Sequence, residues 1–492
     1  MPVDLVGDTQ PVLSRPLKLI DDTAYLVTWT QGKVKHKERT VRAIVPVLLA
    51  SNGLCWEDTT DPDDLPVILD CDHNPPQEKV LSLDSVRMWQ DGYRPSVTSV
   101  YARVRDLVDH FVDFTGCPLG NQSSLTELTA CYIMSTWFSD VCTSNGYLWA
   151  YGEKGSGKSH LLGIISELAY LGLTVLSGST FASTRDLAHY GSCLCCDDMD
   201  EYANRKRVDP DKLNTILGGL SGNPRITVKE MGPDRRYHTR YVNVRSPRMF
   251  NSTRIPDRTL SSRCVLVTMI KSMDQEKGLR EPSDILYWPH SHRELIDDLW
   301  LVGLHHQDEF QAYYRSAGDG AKLLGRDLQV WLAVFGTAKW LDANGGKGVW
   351  RRVHKLSLEY QKEKGELVSW DIDLLVQQAL VDHYGKFEKS DRYKKRFFAV
   401  DLVDWVKELA EGRDIDPAPY NKYNIGCSLG RLGIRRQRKL GEKHPAWLIT
   451  ELDHTRFKTA MERLEVSQLG KGPLKFVSFD PATFVENGNG YD

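Results

Sequence analysis

This 492-residue chain implies an α/β architecture built on a parallel sheet, and three stretches carry that implication. Gly152-Glu153-Lys154-Gly155-Ser156-Gly157-Lys158-Ser159 fits the phosphate-binding pattern G-x-x-x-x-G-K-[ST] at every fixed position. It lies between a short apolar strand, Tyr147–Tyr151, and a run from His160 to Leu171 whose Leu161, Ile164, Ile165 and Leu168 recur at helical spacing. Further on, the apolar strand Ser192–Cys196 ends in Asp197-Asp198-Met199-Asp200-Glu201, and the strand Ser246–Asn251 ends in a polar side chain. Apolar strands alternating with helices stack as a parallel sheet and present polar residues at the strands' C-terminal ends, where ligands bind.

Length suggests roughly three domains at about 150 residues each. A hydrophobic fraction of 41% and a charged fraction of 26% allow sizeable cores. The net charge of −3 gives no global preference for nucleic acid, so any such contact must come from local basic patches. No basic segment followed by an apolar one opens the chain, and no apolar run approaches the ~18 residues that cross a bilayer. A cytoplasmic protein without a membrane partner is expected. Cys193, Cys195 and Cys196 have spacing that suits a strand interior better than a zinc knuckle, so reduced, buried thiols are expected.

In chain order, residues 1–92 read as a β-rich module. Its strands are Ala24–Trp29 and Thr40–Leu49, separated by the basic stretch Lys33–Arg39. Residues 58–64 and 70–77 are turn-rich; Asp70, Asp72 and His73 lack the second ligand cluster that a metal site needs. Residues 93–282 begin with a helix presenting Val97, Val100, Val104, Leu107, Val108 and Phe111 on one face, and a second helix follows from Ser123 to Phe138. Leu173–Leu176 is a short strand and Lys212–Leu220 a helix. Arg225–Lys229 and Arg235–Val244 flank a turn as a β-hairpin with Lys229, Arg235, Arg236, His238 and Arg240 on or near it. Ile255-Pro-Asp-Arg258 then leads through Ser262-Arg263-Cys264 into the strand Val265–Met269. Residues 283–368 are helical and rich in Trp and Leu, with Arg326 near a helix start. Residues 369–465 read as a small domain of helices followed by a basic hairpin, and 466–492 as a loose extension.

The chemistry follows from residue type and spacing. Glycines let the loop turn its N–H groups toward a polyphosphate, and the helix N-terminus adds a favourable field. Gly152, Gly155, Ser156, Gly157, Lys158, Ser159 and His160 are thus the expected nucleotide contacts. Lys158 is expected on the β- and γ-phosphates of ATP, Ser159 and Asp197 on Mg2+, and Asp198 on the attacking water.

The order of phosphate loop, acidic strand end, Asn251 and Ser262-Arg263-Cys264 resembles that of AAA+ ATPases. Residues 95–360 more narrowly resemble the helicase-like ATPases of plasmids, phages and integrated mobile elements. The resemblance implies a parallel sheet with a helical lid at 283–368. It implies Asn251 as the sensor of the γ-phosphate and Arg263 as the arginine finger reaching a neighbouring subunit, with Arg258 its rival. Arg326 becomes a second sensor at the nucleotide. Many such ATPases have Glu where this chain has Asp198, a departure bearing on hydrolysis. Residues 369–465 resemble a winged helix, which puts Arg431 on the recognition helix and Arg435, Arg436, Arg438 and Lys439 on the wing. The function implied is an ATP-hydrolysing DNA motor: a ring-shaped, hexameric replicative helicase of a mobile element. Lys229, Arg235 and Arg236 would grip single-stranded or forked DNA, and residues 1–92 would meet a replication-protein partner. An initiator, loader or switch ATPase that binds DNA without processive unwinding is the alternative.

Overall fold

Alternating β-branched and aromatic residues make the first part of the chain strand-forming. The computed structural model describes residues 10–36, 39–57, 65–70, 75–176, 178–203, 208–222, 224–232, 235–272, 274–368, 372–390, 393–412, 420–437 and 445–468. These fall in two compact units, 1–360 and 361–492. Near the N-terminus lie β1 (Val12–Leu13), β2 (Leu17–Ile20), β3 (Thr23–His36), β4 (Arg39–Ala50), β5 (Cys55–Trp56) and β6 (Ile68–Leu69). β2 to β5 form an antiparallel sheet in chain order, and β1 pairs in parallel with β6. Leu13, Val27, Trp29, Leu48, Val67 and Val80 form their shared core. Residues Asp72 and His73 lie outside the described residues; among those described, no group of three or more His, Cys, Asp or Glu could hold a metal ion.

Two buried cations fasten this N-terminal segment to the α/β region beyond it. The Arg15 guanidinium donates to His189 O (3.1 Å) and Arg245 O (2.9 Å). The Lys79 ammonium donates to Ser166 O (3.0 Å) and the Glu167 carboxylate (2.9 Å). Three helices then lead toward the central sheet: α1 (Leu83–Gln90), α2 (Val97–Phe111) and α3 (Gln122–Thr136). α2 buries the predicted apolar face, Val97 to Phe111 at 3.6 spacing. α3 starts at a capping box between Asn121 and Ser124 and is buried nearly all round.

The central sheet comes next in the chain. Its elements are β7 (Tyr147–Tyr151), α4 (Lys158–Leu168), β8 (Leu173–Val175), α5 (Phe181–His189), β9 (Leu194–Cys196), α6 (Pro210–Gly218), the hairpin β10 (Arg225–Met231) and β11 (Tyr237–Asn243), β12 (Arg248–Ser252), α7 (Arg258–Ser261) and β13 (Cys264–Thr268). Five strands run parallel in the order β13-β7-β12-β9-β8. β7 and β12 are neighbours, yet the chain leaves β7 toward β8 and leaves β12 toward β13, in opposite directions. Such a switch opens a crevice at the strands' C-terminal ends, which is where an open parallel sheet binds ligands.

A short α8 (Gln275–Leu279) precedes three long helices, α9 (His292–Arg315), α10 (Gly325–Ala343) and α11 (Val349–Val368). They pack through aromatic rings, with Phe138 stacked on Phe310 at 4.2 Å and Trp331 and Trp340 fully buried. The Tyr360 hydroxyl donates to Cys264 O (3.0 Å) and accepts from Leu266 N (3.2 Å), pinning α11 to the edge strand β13.

The second unit contains α12 (Ile372–Asp382), β14 (Glu388–Lys389), β15 (Lys394–Phe397), α13 (Val403–Glu411), α14 (Lys422–Arg431), β16 (Arg435–Gln437), β17 (Ala446–Thr450) and α15 (Glu451–Gln468). Its antiparallel sheet has the order β14-β15-β17-β16. Leu375, Leu380, Phe397, Ile425, Leu429 and Ile449 are among its core residues. Asn421 caps α14 by accepting from Tyr423 N and Asn424 N, both at 3.0 Å.

Candidate nucleotide site and its basic hairpin

β7 is buried along its length, with Leu148, Trp149 and Ala150 at most 2% exposed, so the loop after it starts from a rigid point. At Gly152 a Cβ would sit 2.1 Å from Met269 O, which requires glycine there. Gly155 and Gly157 have φ of 78° and 82°, left-handed values that a glycine adopts without strain. Gly157 is also the N-cap of α4, so the unpaired N–H groups of that helix face the loop. Lys158 is 8% exposed and its ammonium donates to Gly152 O (2.9 Å), Glu153 O (2.7 Å) and Ser156 Oγ (3.3 Å). Burial pulls its pKa below the usual lysine range, and the Asp200 and Asp197 carboxylates partly oppose that. A buried ammonium with mainly neutral acceptors stands to gain from anionic oxygen.

The acidic turn lies across the crevice. Asp197 N donates to Val175 O (3.1 Å) and Met199 N to Asn251 O (2.9 Å), so the turn is laced to its neighbours by main chain. Asp198 has φ 56°, and its N–H donates to Asp197 Oδ1 (2.9 Å). This left-handed kink leaves Asp198 exposed and Asp197 half-buried. Asp200 does something else. Its carboxylate accepts from Ser252 Oγ, Thr253 N and Thr253 Oγ1, each at 2.6 Å. Burial would raise its pKa, but these hydrogen bonds outweigh that and hold it below the usual range. With its lone pairs so occupied, Asp200 clamps the acidic turn to the end of β12. Asn251 is 5% exposed on β12, in register with Ala150 of β7.

A cavity of about 260 Å³ opens over the loop. Gly155, Ser156, Gly157, Lys158, Ser159 and His160 form one wall. The other comes from Phe111 at the end of α2, Asp113 just beyond it, and Ser272, Lys277 and Gly278 around α8. Sequence reasoning missed this second wall. Asp113 accepts from Ser272 Oγ and from Thr115 N (2.9 Å). Burial pushes its carboxyl up, but those bonds and the Lys277 charge hold it below the usual range. The one local signal was the Asp274 cap of α8, and nothing in the sequence tied that turn to residues more than a hundred positions earlier. His160 faces Glu281, with Nε2 3.3 Å from the carboxylate.

The arginines stand elsewhere. Tyr147 N donates to Arg263 O (3.1 Å), which places Arg263 at the N-terminal end of β7. The Arg263 side chain donates to Leu217 O (3.0 Å) and Thr259 O (2.6 Å). Burial lowers its pKa first and the neighbouring Arg326 charge second. Arg326, exposed in the first turn of α10, lies at the same end, because that helix packs on the residues before β7. Ser144 Oγ donates to Gln329 O (3.0 Å), and a Cβ on Gly146 would meet Val330 O at 1.9 Å. The length of β7, about 15 Å at ~3.3 Å per residue, lies between these arginines and the loop. The structure therefore does not bring Arg326 to the phosphate loop of its own chain.

Lys229, Arg235 and Arg236 are exposed on the hairpin. β10 and β11 pair in antiparallel register from Arg225↔Asn243 to Met231↔Tyr237. Arg240, partly exposed, pairs with Glu230 at 3.3 Å. The hairpin is rooted by Arg248, a β12 residue 1% exposed and invisible as a sequence signal. Its guanidinium donates to Thr215 O (3.1 Å) on α6 and Val244 O (3.0 Å) after β11. In the second unit Arg435 and Arg436 are exposed on β16, with the Arg436 guanidinium 5.9 Å from the Trp447 ring centre. Arg438 and Lys439 lie outside the described residues, and the side chains of Arg258, at the start of α7, and Arg431, at the end of α14, lie outside those described.

No protein-family model matches the chain, and no curated protein matches it. A solved structure described as "SCCmec type IV Cch - active helicase" aligns with a TM-score of 0.35 and 10% identity, over 82% of this chain and 77% of that one. "Structure of Drosophila ORC bound to DNA" aligns with a TM-score of 0.18 and 12% identity, over 74% of this chain and 93% of that one. Neither likeness is strong enough to carry a functional reading. The site geometry carries it instead. Among the described residues no helix is long and apolar enough to cross a membrane.

Proposed function

We propose that this protein is an AAA+-type ATPase that uses ATP hydrolysis to move DNA, working as a head-to-tail ring helicase of a mobile element. The observation that carries the reading is the gathering at one end of the sheet of the glycine loop, Lys158, Asp197, Asp198 and Asn251, with the last on the strand that roots a basic hairpin. ATP fits this place. Left-handed glycines, the open N-terminus of α4, a buried lysine bonded to its own loop and the cavity above them suit a polyphosphate. Ser159 and Asp197 are the oxygen donors suited to hold Mg2+, which when bound would neutralise charge on the phosphates.

Lys158 would exchange its carbonyl partners for phosphate oxygens. Asp198 would accept the proton of the attacking water, and Asn251 would fix that water's position. Arg263 would reach the phosphates of the adjacent subunit, and Arg326 beside it would act on that same neighbour. Movement of β12 with the state of the nucleotide would pass through Arg248 to the hairpin, where Lys229, Arg235 and Arg236 hold the DNA backbone. The second unit, whose helices accompany an antiparallel sheet ending in the Arg435-Arg436 strand, would serve as a winged helix on DNA, and residues 1–92 as the docking face for a replication protein.

The test measures ATP turnover with and without single-stranded DNA, and strand displacement on a forked duplex. DNA-stimulated turnover with displacement is expected. Turnover indifferent to DNA, with no displacement, would sink the motor. Monomers or open arcs with a nonhydrolysable ATP analogue, in place of closed rings, would favour an initiator or loader switch.

A further inference from the structure

The register of the hairpin sorts its residues onto two chemically different faces. Directly paired residues share a face, so Met231 with Tyr237, Lys229 with Thr239 and Thr227 with Tyr241 lie on one side. Glu230 with His238, Val228 with Arg240 and Ile226 with Val242 lie on the other. The second side is the inner one: Val242 is fully buried, and Glu230 is paired with both Arg240 and Arg185. The first side is open. Met231, Tyr237 and Tyr241 are 61%, 68% and 59% exposed, far more than large apolar side chains in a core-facing sheet. Among the described residues of the hairpin no carboxylate lies on it, and Lys229 sits between the two tyrosines, with Arg225 at the base of the same face.

We propose that this face is a stacking platform on which Tyr237 and Tyr241 seat the bases of an unpaired nucleic-acid strand while Lys229 and Arg225 hold its phosphates. The proposal rests on the DNA-motor reading of the hairpin and adds to it a base contact where that reading has phosphate contacts alone. Exposed aromatic rings interleaved with cations, without acid, are what a single strand needs, because every base has a face to stack and every linkage a charge to neutralise. A duplex hides those base faces, and grooves are read instead by Arg, Asn and Gln reaching base edges. The occupant is therefore an unpaired strand, bound with little regard to sequence.

The test uses the full chain with a nonhydrolysable ATP analogue and two dye-labelled oligonucleotides, one ordinary and one whose central residues are abasic, at two salt concentrations. The abasic strand keeps its phosphates and loses its bases. Wild-type protein is expected to bind it at least about fivefold more weakly, given the usual worth of a stacked base. Tyr237→Leu with Tyr241→Leu is expected to bind both strands alike, at the abasic level, with an unchanged thermal midpoint since both side chains lie on the surface. Tyr237→Phe with Tyr241→Phe is expected to restore the preference. Lys229→Ala is expected to weaken both strands by one factor and to flatten the salt dependence by about one unit of slope. Equal binding of both strands by the wild type, or a base preference that survives the leucine pair, overturns the platform and leaves the motor reading standing. Binding of neither strand overturns both.

Discussion

The two ends of the five-stranded sheet are chemical opposites. At the C-terminal end stand the glycine loop, one buried lysine, the aspartates of the acidic turn and Asn251. The other end holds Arg248, Arg263 and Arg326, and the first two direct their guanidinium groups mainly at main-chain carbonyls. A guanidinium solvated by neutral carbonyls stays charged, since it does not deprotonate in proteins. One end thus has the geometry to suit a polyanion, and the other holds the arginine charges. These ends would meet head to tail under the proposed function, and a head-to-tail contact that closes makes a ring. Under the proposed function each nucleotide would lie between one subunit's loop and the next one's arginines.

The comparison breaks most visibly at Arg263. Arg263→Ala is expected to lower ATP turnover by about a thousandfold, the low end for an arginine finger, while each chain still binds nucleotide. Mixing it with Lys158→Ala chains should recover activity that neither has alone, because some interfaces then combine an intact loop with an intact arginine. A loss of turnover that tracks a fall in melting temperature, with no recovery on mixing, would reduce Arg263 to a tie between Leu217 and Thr259. Next in size is Arg248→Met, which removes the guanidinium donors from Thr215 O and Val244 O and leaves Gly219 N as the donor to the first; unfolding in urea should show a loss of about 3 kcal/mol. A change under 1 kcal/mol would mean the hairpin root is held by other bonds.

At the opposite end Lys158→Ala is expected to weaken nucleotide binding by about 10- to 150-fold, or roughly 1.5–3 kcal/mol, with circular dichroism unchanged. Binding of a fluorescent ATP analogue at wild-type strength would remove the loop from the site. The last effect is confined to acid pH and concerns α4, which runs from the loop back toward the arginine end and finishes near Glu167. Burial would raise the Glu167 carboxyl, but the His292 hydrogen bond and the Lys79 ammonium hold it down to about 2, below the usual 4.5. A carboxyl depressed in the folded state contributes stability that is complete above its ordinary pKa and lost as pH falls through the folded one. Stability should therefore drop between about pH 4.5 and 2 by about 3 kcal/mol, and Glu167→Gln should flatten that part of the curve in chemical denaturation at stepped pH.

Much of the site was legible because its signals are local. The loop octet is contiguous, the acid ends the strand it follows, and the hairpin shows as two strands about a turn. The boundaries moved by a residue or two, as with Leu173–Val175 and Leu194–Cys196. Asp200 stood in the sequence only as one of the acids after β9, and its three bonds to Ser252 and Thr253 give it a structural place. Arg326 sat at a helix start as expected, but the direction in which α10 packs put it at the far end of the sheet.

The sequence alone determined the phosphate loop, the acidic turn, the amphipathic α2 and the basic hairpin, since each depends on neighbours within a few positions whose spacing already fixes backbone geometry. Tertiary structure alone decided the rest. It put β12 between β7 and β9, opened a cavity whose second wall comes from Asp113 and Lys277, and gave Arg248 its place between α6 and the hairpin. It also turned Tyr237 and Tyr241 outward while Arg240 paired with Glu230 on the other face of the hairpin. Such placements depend on strand order, register and the packing of helices, free-energy choices made among residues far apart in the chain, which no local spacing encodes.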